Sequence, residues 1–161
     1  MKFGKKLLIV FSLVVFFAFN NIDIAFSKPT KKSRPQVMQR TFAMIKPSGM
    51  SKANAIKGII SSYGLIILKS EKIKITGKQV DKLYSMHKDK PFYNDLKNSL
   101  AGKEVEIMVL YGDHAVERYR NAVKDIRSKY ALNKTENAVH GSDSWELAHK
   151  EICLFFYCGA R

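Results

Sequence analysis

From Arg40 onward the spacing of hydrophobic positions changes period several times, and each change predicts an element. Thr41–Lys46 is an almost unbroken apolar run stopped by Pro47, the pattern of a buried strand. Ser51 is placed to cap a helix whose apolar positions Ile56, Ile59, Ile60 and Tyr63 share one face, with Gly64 as its stop. Leu65–Ile75 reads as a second strand. Thr76-Gly77-Lys78-Gln79 is a capping box that opens a helix carrying Val80, Leu83, Tyr84 and His87 on one side. Pro91 ends it, and Phe92–Leu100 reads as a further short helix. Val105–Leu110 predicts a third strand, Ala115–Lys124 a helix with Val116, Tyr119 and Val123 inward, Asp143–Lys150 a short helix, and Glu151–Tyr157 a last apolar strand. The order predicts an α+β domain, a four-stranded sheet with helices on one face.

The N-terminus follows a different logic. Lys2, Lys5 and Lys6 precede an apolar run from Leu7 to Phe19, and Ala25-Phe26-Ser27 ends the segment in small residues. Basic, apolar and small-residue regions in that order are the pattern of a secretory signal, and the run is too short to span a bilayer comfortably. Residues 28–39, with Pro29, Pro35 and a Lys31–Arg34 cluster, read as a basic linker without apolar period. The expected organisation is a signal peptide over 1–27, the linker over 28–39 and one domain over 40–161. The protein is then exported, periplasmic or secreted, and touches membrane only through its signal. Translation from Met38 would instead leave it cytoplasmic.

Charge narrows the partners. The chain holds 28 Lys+Arg against 14 Asp+Glu, a formal +14. Removing residues 1–27 takes away three lysines and one aspartate and leaves +12. Such a surface favours anions, whether nucleotides, nucleic acid or anionic membrane. Cys153 and Cys158 have no metal-knuckle or CxxC spacing. Five apart in a strand they would face opposite ways, which argues against a disulfide. Cys153 reads as core filling and Cys158 as a tail residue.

The chemistry concentrates around Asn137-Ala-Val-His140-Gly141-Ser142-Asp143-Ser144. An imidazole is a nucleophile that titrates near neutrality, so it can accept and pass on a phosphoryl group. Gly141 is expected to leave one side open for a bulky ligand. Neither GxxxxGK[ST] nor GxGxxG occurs, so a nucleotide would be held by side chains. Lys46 at a strand end, with Arg120 and Arg127 on or beyond one helix, can grip phosphate oxygens. Phe92 follows a rigid Lys-Pro turn and suits stacking on a base. Glu151 can fix one nitrogen of His140 and leave the other free; an ordinary ion pair with a nearby cation is the alternative. No His/Cys/Asp/Glu set has zinc spacing.

Arg40–Pro47 with its Ile-Lys-Pro, Leu83–Phe92, Gly112–Arg120, Glu136–Ser144 with its His-Gly-Ser-Asp-Ser, and Lys150–Ile152 together resemble the nucleoside diphosphate kinases, in that family's order. The resemblance implies a ferredoxin-like fold with an antiparallel sheet, and ping-pong transfer of a γ-phosphoryl group from a nucleoside triphosphate to a nucleoside diphosphate through phosphorylated His140. It implies magnesium held by the substrate phosphates, with no metal ligand from the protein, and a homo-oligomer. It further implies that Glu151 orients His140 and that Lys46 and Tyr84 lie near the reacting group. By the same resemblance Arg120, Arg127 and His87 hold phosphates, Asn137 and Lys46 the sugar, Phe92 the base, and Ser142 supports the histidine.

Two departures stand out. The stretch from Arg120 to His140 is shorter than in typical members and lacks a phosphate-holding threonine, and Ser48 stands where an Asp is usual. The shortened loop bears on both assembly and turnover. The competing readings are a secreted basic nucleic-acid-binding module and a nucleotide-binding protein without turnover.

Overall fold

A computed structural model describes residues 35–156 and 158. The signal-like segment and residues 28–34 of the linker lie outside the described residues. The chain runs β1 (Met38–Ile45), a 3-10 turn (Pro47–Lys52), α1 (Ala53–Ser62), β2 (Ile66–Lys74), α2 (Gly77–Leu83), a 3-10 turn (Ser85–His87), α3 (Tyr93–Leu100), β3 (Glu104–Asp113), α4 (Ala115–Tyr130), β4 (Val139–Gly141) and α5 (Trp145–Phe155). The strands form one antiparallel sheet in the order β2-β3-β1-β4. This is the ferredoxin-like α+β arrangement. β1 begins at Met38, inside the stretch read as linker, and the Val37 backbone is already engaged: its N–H donates to Asp113 Oδ1 and its carbonyl accepts from His114 N–H.

β1 is apolar on both faces because both faces are covered. Phe42 and Met44 pack with Val80, Leu83, Leu96 and Leu100 from α2 and α3, and with Phe156 beyond α5. Ala43 and Ile45 pack with Ile56, Ile60, Tyr119 and Ile126 from α1 and α4. Helices therefore lie on both sides of the sheet, not one. Among the described residues β1, a central strand, therefore offers no open face as a base-stacking platform of the RNA-recognition kind.

The C-terminal expectation is also corrected. Residues 151–155 are helical, and Glu151 stands inside α5, capped at its start by Ser144 Oγ accepting from Leu147 N–H. The fourth strand is instead the three residues around His140. Apolar Ile152, Leu154 and Phe156 mimic a strand period, but the i, i+3 pair of buried Ala148 and Glu151 is the helical signal. Cys153 sits on the last turn of α5 and forms a disulfide with Cys158, their Cα atoms 5.1 Å apart. The prediction of two free cysteines on opposite faces fails with the strand it assumed.

Smaller differences have local causes. Ser51 does not cap α1; a 3-10 turn started by Pro47 occupies that position and Lys52 precedes the helix without a side-chain cap. The Thr76–Gln79 capping box forms as predicted. α4 runs to Tyr130, a turn and a half beyond the expected Lys124, using residues of the shortened stretch.

Candidate active site

The site is where β1 and β4 end side by side. Met44 pairs with His140 and Ile45 with Val139, and the ladder continues with Lys46 N–H donating to Ala138 O at 2.8 Å. Pro47 cannot continue a strand, so Lys46 is the last residue held by the sheet. A cleft of about 230 Å³ opens there, walled by the α2–α3 segment, the C-terminal part of α4, the loop before β4, and α5.

His140 stands on the floor with its ring edge-on to Tyr84, centroids 5.2 Å apart, and tilted 6.0 Å from Phe42. Its Nε2 lies 3.3 Å from Oε1 of Glu151, and Ser142 Oγ donates to Oε2 of the same carboxylate at 2.5 Å. Glu151 and Ser142 are buried. The carboxylate is thus fixed from both sides, and its hydrogen-bonding capacity is directed at the imidazole.

Lys46 is only 4% exposed. Its Nζ donates to Asn137 Oδ1 at 2.8 Å and Thr135 O at 3.2 Å. Burial, assisted by the positive charge of Arg127, brings its pKa down to about 7 from 10.5. Arg127 donates from Nη2 to Val139 O at 3.0 Å while its buried Nε finds no partner. The Tyr84 hydroxyl is likewise buried and unpartnered, and burial with Glu151 nearby pushes its ionisation far up, so it stays a neutral phenol. Unpaired polar groups of this kind are costly unless something polar enters the cleft. Phe92, 43% exposed, stands at the rim, and His87 lies between it and Tyr84 at 5.7 and 6.2 Å. A row of four rings therefore descends from rim to floor.

Of the residues singled out from sequence, Lys46, Tyr84, His87, Phe92, Arg127, Asn137, His140 and Glu151 line the one cleft. Ser142 lies behind it, acting on Glu151. Arg120 is not in the lining; it is paired with Asp143, itself a lining residue, and borders a neighbouring pocket. Gly141 does not provide open space. A Cβ there would lie 2.6 Å from the Tyr119 ring, so the glycine is required by close packing.

Sequence reasoning missed Lys134, Thr135 and Asp143. Thr135 acts through its carbonyl, which no side-chain pattern reveals. The loop is short but well tied: Asn133 Oδ1 accepts from Thr135 N–H, Thr135 Oγ1 and Glu136 N–H, while Asn137 Nδ2 donates to Lys134 O.

Among the described residues no group of three or more His, Cys, Asp or Glu could hold a metal. The cleft's two carboxylates are already committed, Glu151 to His140 and Ser142, Asp143 to Arg120. The arrangement offers a nucleophile, an orienting anion, cations and an aromatic rim, which suits an elongated polyanion carrying a flat ring.

The family model for nucleoside diphosphate kinase matches residues 39–159. A Wolbachia pipientis protein called nucleoside diphosphate kinase is 38% identical over 74% of this chain and 94% of its own length. One from Saccharolobus islandicus is 41% identical over 74% and 96%. Among solved structures, the Aquifex aeolicus nucleoside diphosphate kinase matches with a TM-score of 0.67 at 28% identity, covering 76% of this chain and 97% of that one. A nucleoside diphosphate kinase family protein from Babesia bovis matches at 0.68 and 30%, covering 74% and 88%.

Proposed function

This chain belongs to the nucleoside diphosphate kinase family and is a phosphotransferase between nucleoside tri- and diphosphates; we propose that it works through a phosphohistidine at His140. The observation that carries this reading is the Glu151 carboxylate on Nε2. Holding a proton on Nε2 leaves Nδ1 unprotonated and nucleophilic. Nδ1 attacks the γ-phosphorus, the bond to the β-phosphate oxygen breaks, and the nucleoside diphosphate leaves with that electron pair. The imidazolium-like charge is balanced by Glu151. A second nucleoside diphosphate then attacks the phosphorus, the P–N bond breaks, and His140 is restored.

Lys46, Arg127 and His87 stabilise the charge spread over the transferring oxygens, the main catalytic contribution in phosphoryl transfer. Tyr84 offers its unpaired hydroxyl beside the reacting group. Asn137 and Lys46 hold the sugar hydroxyls and Phe92 stacks on the base. Arg120 reaches phosphate only on release from Asp143. Magnesium arrives with the nucleotide, coordinated by its phosphates, and so belongs to the substrate. The well-tied short loop, with the Thr135 carbonyl on Lys46, supports retained turnover.

The test is incubation with γ-labelled ATP and magnesium. The protein takes up acid-labile label that chases onto added GDP, and His140→Ala takes up none. Labelling of that variant would remove His140 from the mechanism.

We also propose export, supported by the order of residues in 1–27 and by the disulfide, a bond that persists in oxidising compartments. N-terminal sequencing from the extracytoplasmic fraction, expected to start after Ser27, checks it. A homo-oligomer is supported by the outer strand β2, where Ile66 and Leu68 are exposed at an unpaired edge; light scattering decides it.

A further inference from the structure

We propose that Tyr119 is a positioning residue for His140, fixing the nucleophile's backbone from the helical side of the sheet. The inference rests on the reading of His140 as the phosphoryl acceptor.

β4 is only three residues long and is one of the two outer strands, with β1 on one side only. Such a strand is weakly held unless its free side is covered. Here α4 supplies two side-chain donors, Arg127 on the free side and Tyr119 from the face of the sheet onto a carbonyl that the ladder turns toward Met44. The Lys46–Ala138 backbone bond and the Met44–His140 pair are two residues apart in one antiparallel ladder, so they are of the same hydrogen-bonded kind. Val139, between them, turns its carbonyl to the open side, where Arg127 Nη2 takes it at 3.0 Å. Tyr119, two turns earlier on α4, donates its hydroxyl to the His140 carbonyl at 3.1 Å.

The aromatic ring alone would not require a hydroxyl. Tyr119 is wholly buried in the core between α4 and the sheet, where phenylalanine would supply the same apolar area. A buried phenol needs a partner, and the one it reaches is the carbonyl of the nucleophile. Burial also pushes its ionisation well up, so it remains a donor. The same ring is what excludes a side chain at position 141. Tyr119 therefore sets both the height of the His140 backbone and the path of the next residue. Glu151 fixes the far end of the imidazole, so ring and backbone are held independently. Small displacements of a reacting atom cost rate out of proportion to stability.

The test uses the full mature chain and Tyr119→Phe, with Ile60→Val as a control that trims the same core from α1. The rate constant for phosphoenzyme formation from γ-labelled ATP should fall about tenfold in Tyr119→Phe, with nucleotide KM within about twofold. Ile60→Val should lower the thermal midpoint and leave that rate constant alone. An unchanged rate in Tyr119→Phe, a matching loss in Ile60→Val, a rise in KM equal to the fall in kcat, or failure of Tyr119→Phe to fold would each overturn the proposal. Absence of label in the wild type, or label in His140→Ala, would instead remove the reading beneath it.

Discussion

Oε1 of Glu151 lies 3.3 Å from Nε2 of His140, although one residue belongs to an edge strand and the other to the helix after it. Ser144 caps α5, and two turns of that helix bring the carboxylate to the ring. Glu151→Gln keeps the shape but removes the anion that balances a charged imidazole. We expect kcat to fall by at least about tenfold with little change in KM, by analogy with loss of the orienting carboxylate in other His-centred sites. A coupled steady-state assay measures this, and a wild-type kcat would contradict the role.

Much of the cleft's lining is legible in the sequence through motif and not through single residues. Lys46, Arg127 and Glu151 each read alone as ordinary charges, and it is their agreement with His140, in the order shared with the nucleoside diphosphate kinases, that gathers them. What is not legible depends on backbone. The Thr135 carbonyl on Lys46, the Tyr119 hydroxyl on the His140 carbonyl and the left-handed turn at Ala138, φ 65°, leave no side-chain signature. α5 resembles a strand in sequence because its buried face is narrow and its end is apolar all round. A strand there would turn Cys153 and Cys158 to opposite faces, whereas the helix end allows their disulfide. β4, at three residues, is too short for any period to declare itself.

Lys46 makes the protein's stability depend on pH. Its folded pKa of about 7 lies below the ordinary 10.5, so between these values the unfolded chain binds more protons. Stability contributed through Lys46 therefore rises as pH goes from about 7 to about 10, and the penalty of burying its charge is constant below that window. Thermal midpoints of wild type minus Lys46→Met should show this slope, and a flat difference would contradict it.

The same lysine links binding to protons. A nucleotide polyphosphate favours the ammonium form, so binding at about pH 8 should take up a proton. Calorimetry in two buffers of different ionisation enthalpy reads the uptake directly. Equal heats in both would show that Lys46 is already fully charged or remote from phosphate.

Gly141→Ala forces a methyl group to 2.6 Å from the Tyr119 ring, a rigid neighbour in a full core. We expect a loss of about 1–3 kcal/mol from overpacking, read by denaturant unfolding. A variant as stable as wild type would show that the ring can give way.

The Cys153–Cys158 bond closes a very short loop after α5. Chain entropy then limits its contribution to about 2 kcal/mol. Cys158→Ser should lower stability by up to that amount, again by denaturant unfolding, and added thiol should have no further effect on the variant. A wild type insensitive to reduction would mean that packing of Phe155 and Phe156 alone holds the helix end.

In the proposed mechanism Glu151 reserves Nε2 and leaves Nδ1 to carry the phosphoryl group. Phosphorus NMR of the phosphoenzyme, with fragment mass spectrometry to locate the residue, tests it most directly. One phosphate per chain is expected, on Nδ1 of His140, and it should disappear on addition of a nucleoside diphosphate. Phosphate on Nε2, on another residue, or on no residue at all would contradict it.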